Sequence, residues 1–322
     1  MKKILIVLML AIASASCYKD YITDFDYDGI YFPYQVDVRT FVVGEGMKIE
    51  VGAALGGVRE NTRDRIVSFK LDNTLISPAT LTLLKGGAQY IKDGVAPVTT
   101  LLQLPSNYFT LSDNEKIVIK AGSHMGSVVL KVDSAKFLAD PLTLFANYAV
   151  PFYLTGVDAD TLLQAKRSNV VGVRYENMLF GNYWHGGVTT VKDPAGATVS
   201  TILYYTAVNQ PESKIWKLKT VAPNALVTNG YSDVTTAKEE MLLTLNGTNI
   251  TVSTRVGSTF VVEPNNASTY NRAKLLQNRK ILLNYKYVNA AGNTCFAQDT
   301  LTFRNRIRDG VNEWQDENPA NY

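Results

Sequence analysis

Apolar and polar positions alternate along almost the whole chain, beginning with Met47, Ile49, Val51, Ala53 and Leu55, which interleave with Lys48, Glu50 and Gly52. A period of two sends successive side chains to opposite faces, so this segment predicts a half-buried strand. The same pattern returns at Val67, Phe69 and Leu71, at Val128, Leu130 and Val132, and at Tyr148, Val150, Phe152 and Leu154, with a short apolar run from Ile117 to Ile119. Gly44-Glu45-Gly46, Gly86-Gly87 and Ser112-Asp113-Asn114 separate these runs. Such residues supply positive φ or cap a bend with a side chain. Many short, turn-bounded strands predict a sandwich. Ser134 to Asp140 predicts one helical turn, and little else before residue 170 reads as helix.

Val170 to Tyr175 reads as the last strand of that unit, because Gly181, Gly186 and Gly187 then open a differently textured segment. The second half is again β, with strands predicted over Ile202 to Ala207 and Lys214 to Val221. Leu243 to Thr248 predicts a hairpin whose turn is Asn246-Gly247, both at positive φ. A second hairpin joins Ile281 to Val288 with Cys295 to Phe303 across Asn289 to Asn293, and Asn271 to Asn278 predicts a short helix. Sequential hairpins fit an up-and-down barrel and an antiparallel sandwich equally. The fold is therefore read as all-β: an N-terminal immunoglobulin-like β-sandwich over residues 30–172 and a second antiparallel β domain, barrel or sandwich, over 173–322.

The first 29 residues read differently. Lys2 and Lys3, the apolar run Ile4 to Ala13 and the small residues Ser14, Ala15 and Ser16 make an export signal over residues 1–16. Its core falls short of the roughly 20 apolar residues that span a bilayer. Cys17 directly follows the small residues, where lipoprotein processing needs a thiol to accept diacylglycerol, so Cys17 is read as the lipidated first residue of the mature protein; an ordinary cleaved signal is the alternative. Residues 17–29 then form a short acidic tether with Asp24, Asp26 and Asp28. Asp24-x-Asp26-x-Asp28-Gly29 also copies the opening of a calcium loop, but its twelfth position is Gln35 where a bidentate Glu is required.

Composition narrows the partners. Lys and Arg total 32 against 29 Asp and Glu, a balance that gives no footprint for nucleic acid. Cys295 is the one cysteine besides Cys17, which excludes an internal disulfide framework, and His124 and His185 are too few for a histidine-rich zinc site. The sequence thus suggests neither a cofactor nor a metal.

No phosphate loop, nucleophile elbow or zincin helix is present. Asp158-x-Asp160 and Glu239-Glu240 are the local carboxylate pairs, and only the first shares a strand face; its surroundings read as a turn capped by aspartates. Aromatics offer the stronger functional reading, since a sugar ring stacks an apolar face on Trp or Tyr while its hydroxyls seek polar neighbours. Tyr183-Trp184-His185-Gly186-Gly187 combines a platform, a hydrogen-bonding ring and permissive glycines, and Trp216 and Trp314 extend it. Against that, strand tryptophans are commonly core, and Trp216 alternates with Ile215 and Leu218 as a buried residue does. The basic run Arg304-Asn305-Arg306-Ile307-Arg308-Asp309 either grips an anionic substituent or is a strand end salted by Asp309, Glu313 and Asp316.

Several stretches resemble a two-domain family of Bacteroidetes surface lipoproteins labelled only as domains of unknown function. In the first half these are Arg39 to Gly46, Leu55 to Asn61, Leu104-Pro105 with Tyr108 to Ser112, Phe137 to Asp140, and Pro151-Phe152 with Thr155. They are similar to the N-terminal module of some endo-β-N-acetylglucosaminidase lipoproteins. In the second half they are Arg174 to Gly187 and Arg306 to Trp314. The resemblance implies a non-catalytic lipoprotein of a polysaccharide-utilisation system, anchored by Cys17 in the outer membrane and facing outward, where it binds glycan beside a TonB-dependent importer and its lid lipoprotein. It carries no catalytic residues, since the hydrolase of the endoglycosidase relatives is a separate module. The rival readings are a glycoside hydrolase with dispersed carboxylates and an adhesin or scaffold subunit of an importer complex.

Mass spectrometry of the purified mature protein is expected to find Cys17 N-terminal and carrying diacylglycerol. An unacylated N-terminus overturns the lipoprotein reading.

Overall fold

In the computed structural model, which describes residues 27–204, 214–236, 238 and 240–316, the alternation resolves into two β units. The first contains β1 (Gly29–Tyr31), β2 (Val36–Val42), β3 (Lys48–Gly56), β4 (Arg65–Leu71), β5 (Leu102–Gln103), β6 (Phe109–Leu111), β7 (Lys116–Ile119), β8 (Met125–Val132), β9 (Tyr148–Val157), β10 (Thr161–Leu162) and β11 (Ser168–Glu176). One sheet runs β10-β1-β3-β8-β6 and the other β2-β11-β9-β4-β7, with β5 beside β9. Inward-facing Phe41, Val51, Phe69, Leu130, Phe137, Phe152 and Val173 fill the space between them, as a face-to-face sandwich requires. Residue 172, the expected end of the domain, lies inside β11, which stays paired with β2 as far as Glu176.

The second sheet buries its outer face too. Helices α1 (Pro78–Lys85) and α2 (Gln89–Val95) lie on it, packing Leu84, Ile91 and Val95 against Val38, Ala149 and Val170. Neither helix is expected from the period-two pattern, yet α1 has a local start signal. Ser77 accepts the Thr80 N–H and Pro78 occupies the first turn, where proline costs no hydrogen bond. The expected helical turn is α3 (Ser134–Ala139), started by the Asp133 carboxylate, which accepts the N–H groups of Ala135 and Lys136.

The second unit is a closed barrel. It contains β12 (Gly181–Lys192), β13 (Thr198–Tyr204), β14 (Lys214–Ala222), β15 (Ala225–Thr228), β16 (Gly230–Tyr231), β17 (Val234–Thr235), β18 (Met241–Asn246), β19 (Asn249–Thr254), β20 (Val262–Pro264), β21 (Ser268–Tyr270), β22 (Lys280–Val288), β23 (Thr294–Arg308) and β24 (Val311–Glu313). The ring runs β12-β14-β15-β18-β19-β21-β22-β23, and β23 returns to pair with β12 from Asn182 to Lys192. Eight strands leave room for little more than side chains. Here Trp216, Leu243, Val252, Leu283, Tyr285 and Leu301 fill the interior.

Two local expectations change. The β18–β19 turn centres on Gly247-Thr248, because Asn246 pairs with Asn249, and Gly247 alone has positive φ; glycine at the first central position is the II′ pattern. Asn271 to Asn278 holds only a 3₁₀ turn, Leu276–Asn278. Residues 205–207 of the strand expected over Ile202 to Ala207 lie outside the described residues, as do Cys17 and the rest of residues 1–26.

The two units meet at a buried charge. Glu45 sits at the tip of the turn between β2 and β3, where Gly44, Gly46 and Met47 all have positive φ. Its carboxylate accepts both Nη groups of Arg306, at 2.9 and 2.8 Å, and Nη2 of Arg279 at 2.8 Å. All three side chains are almost wholly shielded from solvent. Arg279 also donates to the Met178 carbonyl, and Arg306 to Glu313. Nearby, Arg39 stands 3.3 Å from Asp309. Gly310 lies so close to Tyr90 that a Cβ there would sit 2.9 Å from the ring.

Burial alone would raise the Glu45 carboxyl, but the hydrogen bonds and charge of Arg306, followed by those of Arg279, outweigh it and hold the group below its ordinary value. A depressed carboxylate stabilises the fold above the unfolded-state pKa and loses that contribution as the pH falls through the folded-state value. Glu45→Ala, which strands two buried guanidinium groups, is expected to cost about 3–5 kcal/mol in urea unfolding at neutral pH. The difference from wild type should shrink as the pH drops below the ordinary glutamate value of 4.5. A neutral-pH loss under about 1 kcal/mol would mean the triad is not what joins the units.

Candidate functional site

Three of the five aromatic and histidine positions expected to meet ligand are inside the barrel. Tyr183 and Trp216, paired across β12 and β14, are each 0% exposed, and His185 is 1% exposed. The Tyr183 hydroxyl donates to the Leu179 carbonyl, and its ring meets Phe303 edge-on. The Trp216 indole fits because residue 230 is glycine: a Cβ there would lie 2.5 Å from Nε1. His185 is stacked between Trp216, at 3.9 Å, and Tyr204, at 5.0 Å. These three therefore pack the barrel and offer no stacking surface to a ligand, a correction to the aromatic-platform reading.

His185 belongs to a polar knot in the barrel. Its Nε2 lies 3.2 Å from Asp299 Oδ1, and Asp299 also accepts the hydroxyls of Tyr204 at 2.5 Å and Tyr285 at 2.6 Å. Burial, reinforced by the Asp299 carboxylate, pushes both tyrosines well above their ordinary range. Ser232 joins through its N–H to Tyr285 and its hydroxyl to Thr189. His185, Asp299, Tyr285, Ser232 and Thr189 are buried and Tyr204 is half-buried, so the knot lies within the packing of the barrel.

Trp184 and Trp314 remain at the surface. Trp184 is half-buried on the outside of β12, with the Arg304 guanidinium 5.0 Å above its ring. Trp314 follows β24 and is 57% exposed. The structure does not bring either together with Trp216. The basic run is divided: Arg304 covers Trp184, Arg306 is buried against Glu45, and Arg308 pairs with Glu313 at 2.5 Å. Asp158 forms an exposed ion pair with Arg63. Asp160 and Asp28 accept each other's backbone N–H, and Asp28 pairs with Arg65 at 2.7 Å. Asp28 is thus committed to protein groups; Asp24, Asp26 and Glu239 lie outside the described residues.

An open site forms elsewhere, where β1 leaves β3. These strands pair only from Ala54 to Gly56. The Leu55 N–H donates to His124 and the Met47 carbonyl accepts from Val132, so odd-numbered residues of β3 bond toward β8. The backbone groups of Lys48, Glu50 and Gly52 consequently face the edge that β1 has vacated. Between that edge and β2 lies a cleft of about 400 Å³, lined among others by Tyr34, Asp37, Arg39, Glu50, Met125 and Asn169.

Three polar residues of its lining break the rule of the sandwich. Asp37 and Arg39 share the face of β2 that carries Phe41 into the core, and Asn169 shares the face of β11 that carries Val171 and Val173. Polar residues at inward positions mark functional or strained sites. Asp37 Oδ1 accepts the Val38 N–H and the Tyr90 hydroxyl, both at 2.8 Å. Burial pushes its carboxyl above the ordinary range, against the lowering effects of Tyr90 and Arg39. Asn169 is 6% exposed, and its Oδ1 has no hydrogen-bond partner among the described residues. Tyr34 is 59% exposed at the rim. A second cleft of about 300 Å³, lined among others by Glu45, Lys48, Glu50, Arg308, Glu313 and Asp316, opens where the units meet. Glu50 belongs to both.

Sequence reasoning missed Asp37, Arg39 and Asn169. The signal was their register with Phe41 and Val173, which becomes visible only once the inward face of each strand is known.

No curated protein matches the chain. A family model described only as "-like, N-terminal domain" matches residues 25–161, less than half of the sequence. The crystal structure of a structural-genomics protein of unknown function from Bacteroides ovatus is 20% identical, with a TM-score of 0.62 over 91% of this chain and 99% of that one. A second from the same organism, also of unknown function, is 12% identical with a TM-score of 0.41 over 90% and 100%. The first likeness shows that this fold, over about nine-tenths of the chain, is shared with a Bacteroides protein.

Proposed function

We propose that the protein is a surface-exposed, non-catalytic glycan-binding lipoprotein of a polysaccharide-utilisation system, and that it holds sugar in the cleft between β2 and β3. The cleft carries this reading. It sets an exposed tyrosine ring and the Met125 thioether beside an arginine, two carboxylates and a buried amide oxygen that has no partner among the described residues. A sugar ring needs that mixture: an apolar face to stack on, and acceptors and donors for its hydroxyls. This reading puts the site on the first unit, whereas the aromatic pattern points to the second. The export signal, Cys17 and the family resemblance support anchoring in the outer membrane with the cleft facing outward, beside a TonB-dependent importer and its lid lipoprotein.

One observation favours a glycoside hydrolase as the second reading. Asp37, a buried carboxyl raised above its ordinary range, lines the same cleft as Glu50, and glycoside hydrolysis uses two carboxyl groups of unlike protonation.

Isothermal titration against glycans retained from an array tests the proposal. Tyr34→Ala and Asn169→Ala are each expected to weaken binding about tenfold, roughly 1.4 kcal/mol, while Trp184→Ala leaves it unchanged. Wild-type protein that retains no glycan overturns the binding reading. Reducing sugar released by wild type but not by Asp37→Asn favours the hydrolase.

A further inference from the structure

The clefts on either side of Glu50 share that residue and border one edge of β3, where Lys48, Glu50 and Gly52 pair with no strand among the described residues. Lys48, Glu50 and Gly52 lie at alternate positions along β3, and at the usual rise per strand residue the stretch is about 13 Å long. Lys48 and Glu50 line the cleft at the junction, and Glu50 and Gly52 line the cleft beside β2. This span exceeds one sugar ring, and its far end is walled by Arg308 and Glu313 of the barrel.

Resting on the reading that the β2–β3 cleft holds glycan, we infer that the groove takes an uncharged oligosaccharide whose successive sugars run along the free edge of β3, so that sandwich and barrel grip one ligand together. Each residue facing the edge presents an N–H donor and a carbonyl acceptor. A hydroxyl both donates and accepts, so a chain of sugars can satisfy such an edge without matching a peptide repeat.

The charges of the groove disfavour an acidic ligand, because carboxylates outnumber cations along it. Arg39 stands between Asp37 and Asp309, at 3.9 and 3.3 Å. Arg306 and Arg308 are held by Glu45 and Glu313. Arg39, whose Nε makes no hydrogen bond among the described residues, offers a ligand in the β2–β3 cleft a donor, and the rest is acceptor capacity: Asn169 Oδ1, likewise without a partner among the described residues, and the Glu50 carboxylate, whose Oε2 accepts the Ser127 hydroxyl at 2.7 Å. A uronate or sulfate would bring a negative charge to groups that themselves want donors. An extended peptide could also pair with the edge, but the junction cleft is lined mainly by charged side chains, Lys48, Glu50, Arg308 and Glu313 among them, where alternate peptide side chains would need apolar pockets.

Isothermal titration with manno-, xylo- and N-acetylchito-oligosaccharides, disaccharides through hexasaccharides, tests the inference, with oligogalacturonates as the charged comparison. Affinity is expected to rise at least about tenfold between the shortest and longest members of the preferred neutral series, and oligogalacturonates should bind more weakly at every length. Tyr34→Ala should weaken ligands of all lengths. Lys48→Ala, which alters an exposed residue of the junction cleft, should weaken only the longer ones. Binding that is flat with length and indifferent to Lys48→Ala overturns the two-unit groove and leaves the single-cleft reading standing, as does a preference for oligogalacturonates for the claim of an uncharged ligand. Failure of every glycan to bind, with an extended peptide protecting the β3 amides from hydrogen exchange, overturns both readings.

Discussion

The arrangement of this molecule depends on one carboxylate. Glu45 is carried out of the sandwich on a turn that needs positive φ at Gly44, Gly46 and Met47, and two barrel arginines close on it away from water. Neither charge type is tolerable there without the other, since an ion stripped of water is repaid only by close, well-aligned partners. The bidentate geometry of Arg306 supplies that alignment, and Arg279 adds a second pair whose remaining donors reach backbone carbonyls. Two units that share no sheet are thereby fixed face to face. The junction cleft exists because they are, as its walls come from both.

A different constraint produces the cleft beside β2. Three residues of β1 pair with β3 before the chain crosses toward the other sheet, leaving β3 half-flanked. Bare edges invite pairing with other chains, and proteins usually hide or charge them. This one is set back in a cleft, with Lys48 and Glu50 on the exposed strand and Asp37 and Arg39 opposite. The same side chains that discourage indiscriminate strand addition give the cleft its polar groups.

Much of the fold was legible because half-buried strands must alternate, as β3, β8 and β23 do. The helices on the outer face of β2 and β11 were not legible in that way. Their presence shows in the loss of alternation, Val36, Val38 and Val170 being apolar on the face where a solvated strand would be polar. Barrel or sandwich could not be decided from local pattern, since the deciding contact is the pairing of β12 with β23, more than a hundred residues away. The aromatic platform failed for a related reason. Tyr183 and His185 lie two apart on β12 and share its interior face, while Trp184, between them, points out and is capped by Arg304. Read as a string, Tyr-Trp-His is a cluster; read as a strand, it is two layers facing opposite ways.

The distances along the chain that Glu45 bridges have a bearing on the order of assembly. Its partners lie 234 and 261 residues downstream, and the ring of strands cannot close until β23 exists. The sandwich can condense from contacts confined to its own half. The barrel, by contrast, must wait for almost the last segment made, and the junction forms with it. Until the segment carrying Arg306 exists, Glu45 has no counter-charge that could repay its removal from water. Burying the carboxylate and bringing in the guanidinium groups are therefore one coupled step, and the junction cannot precede the last strands of the barrel.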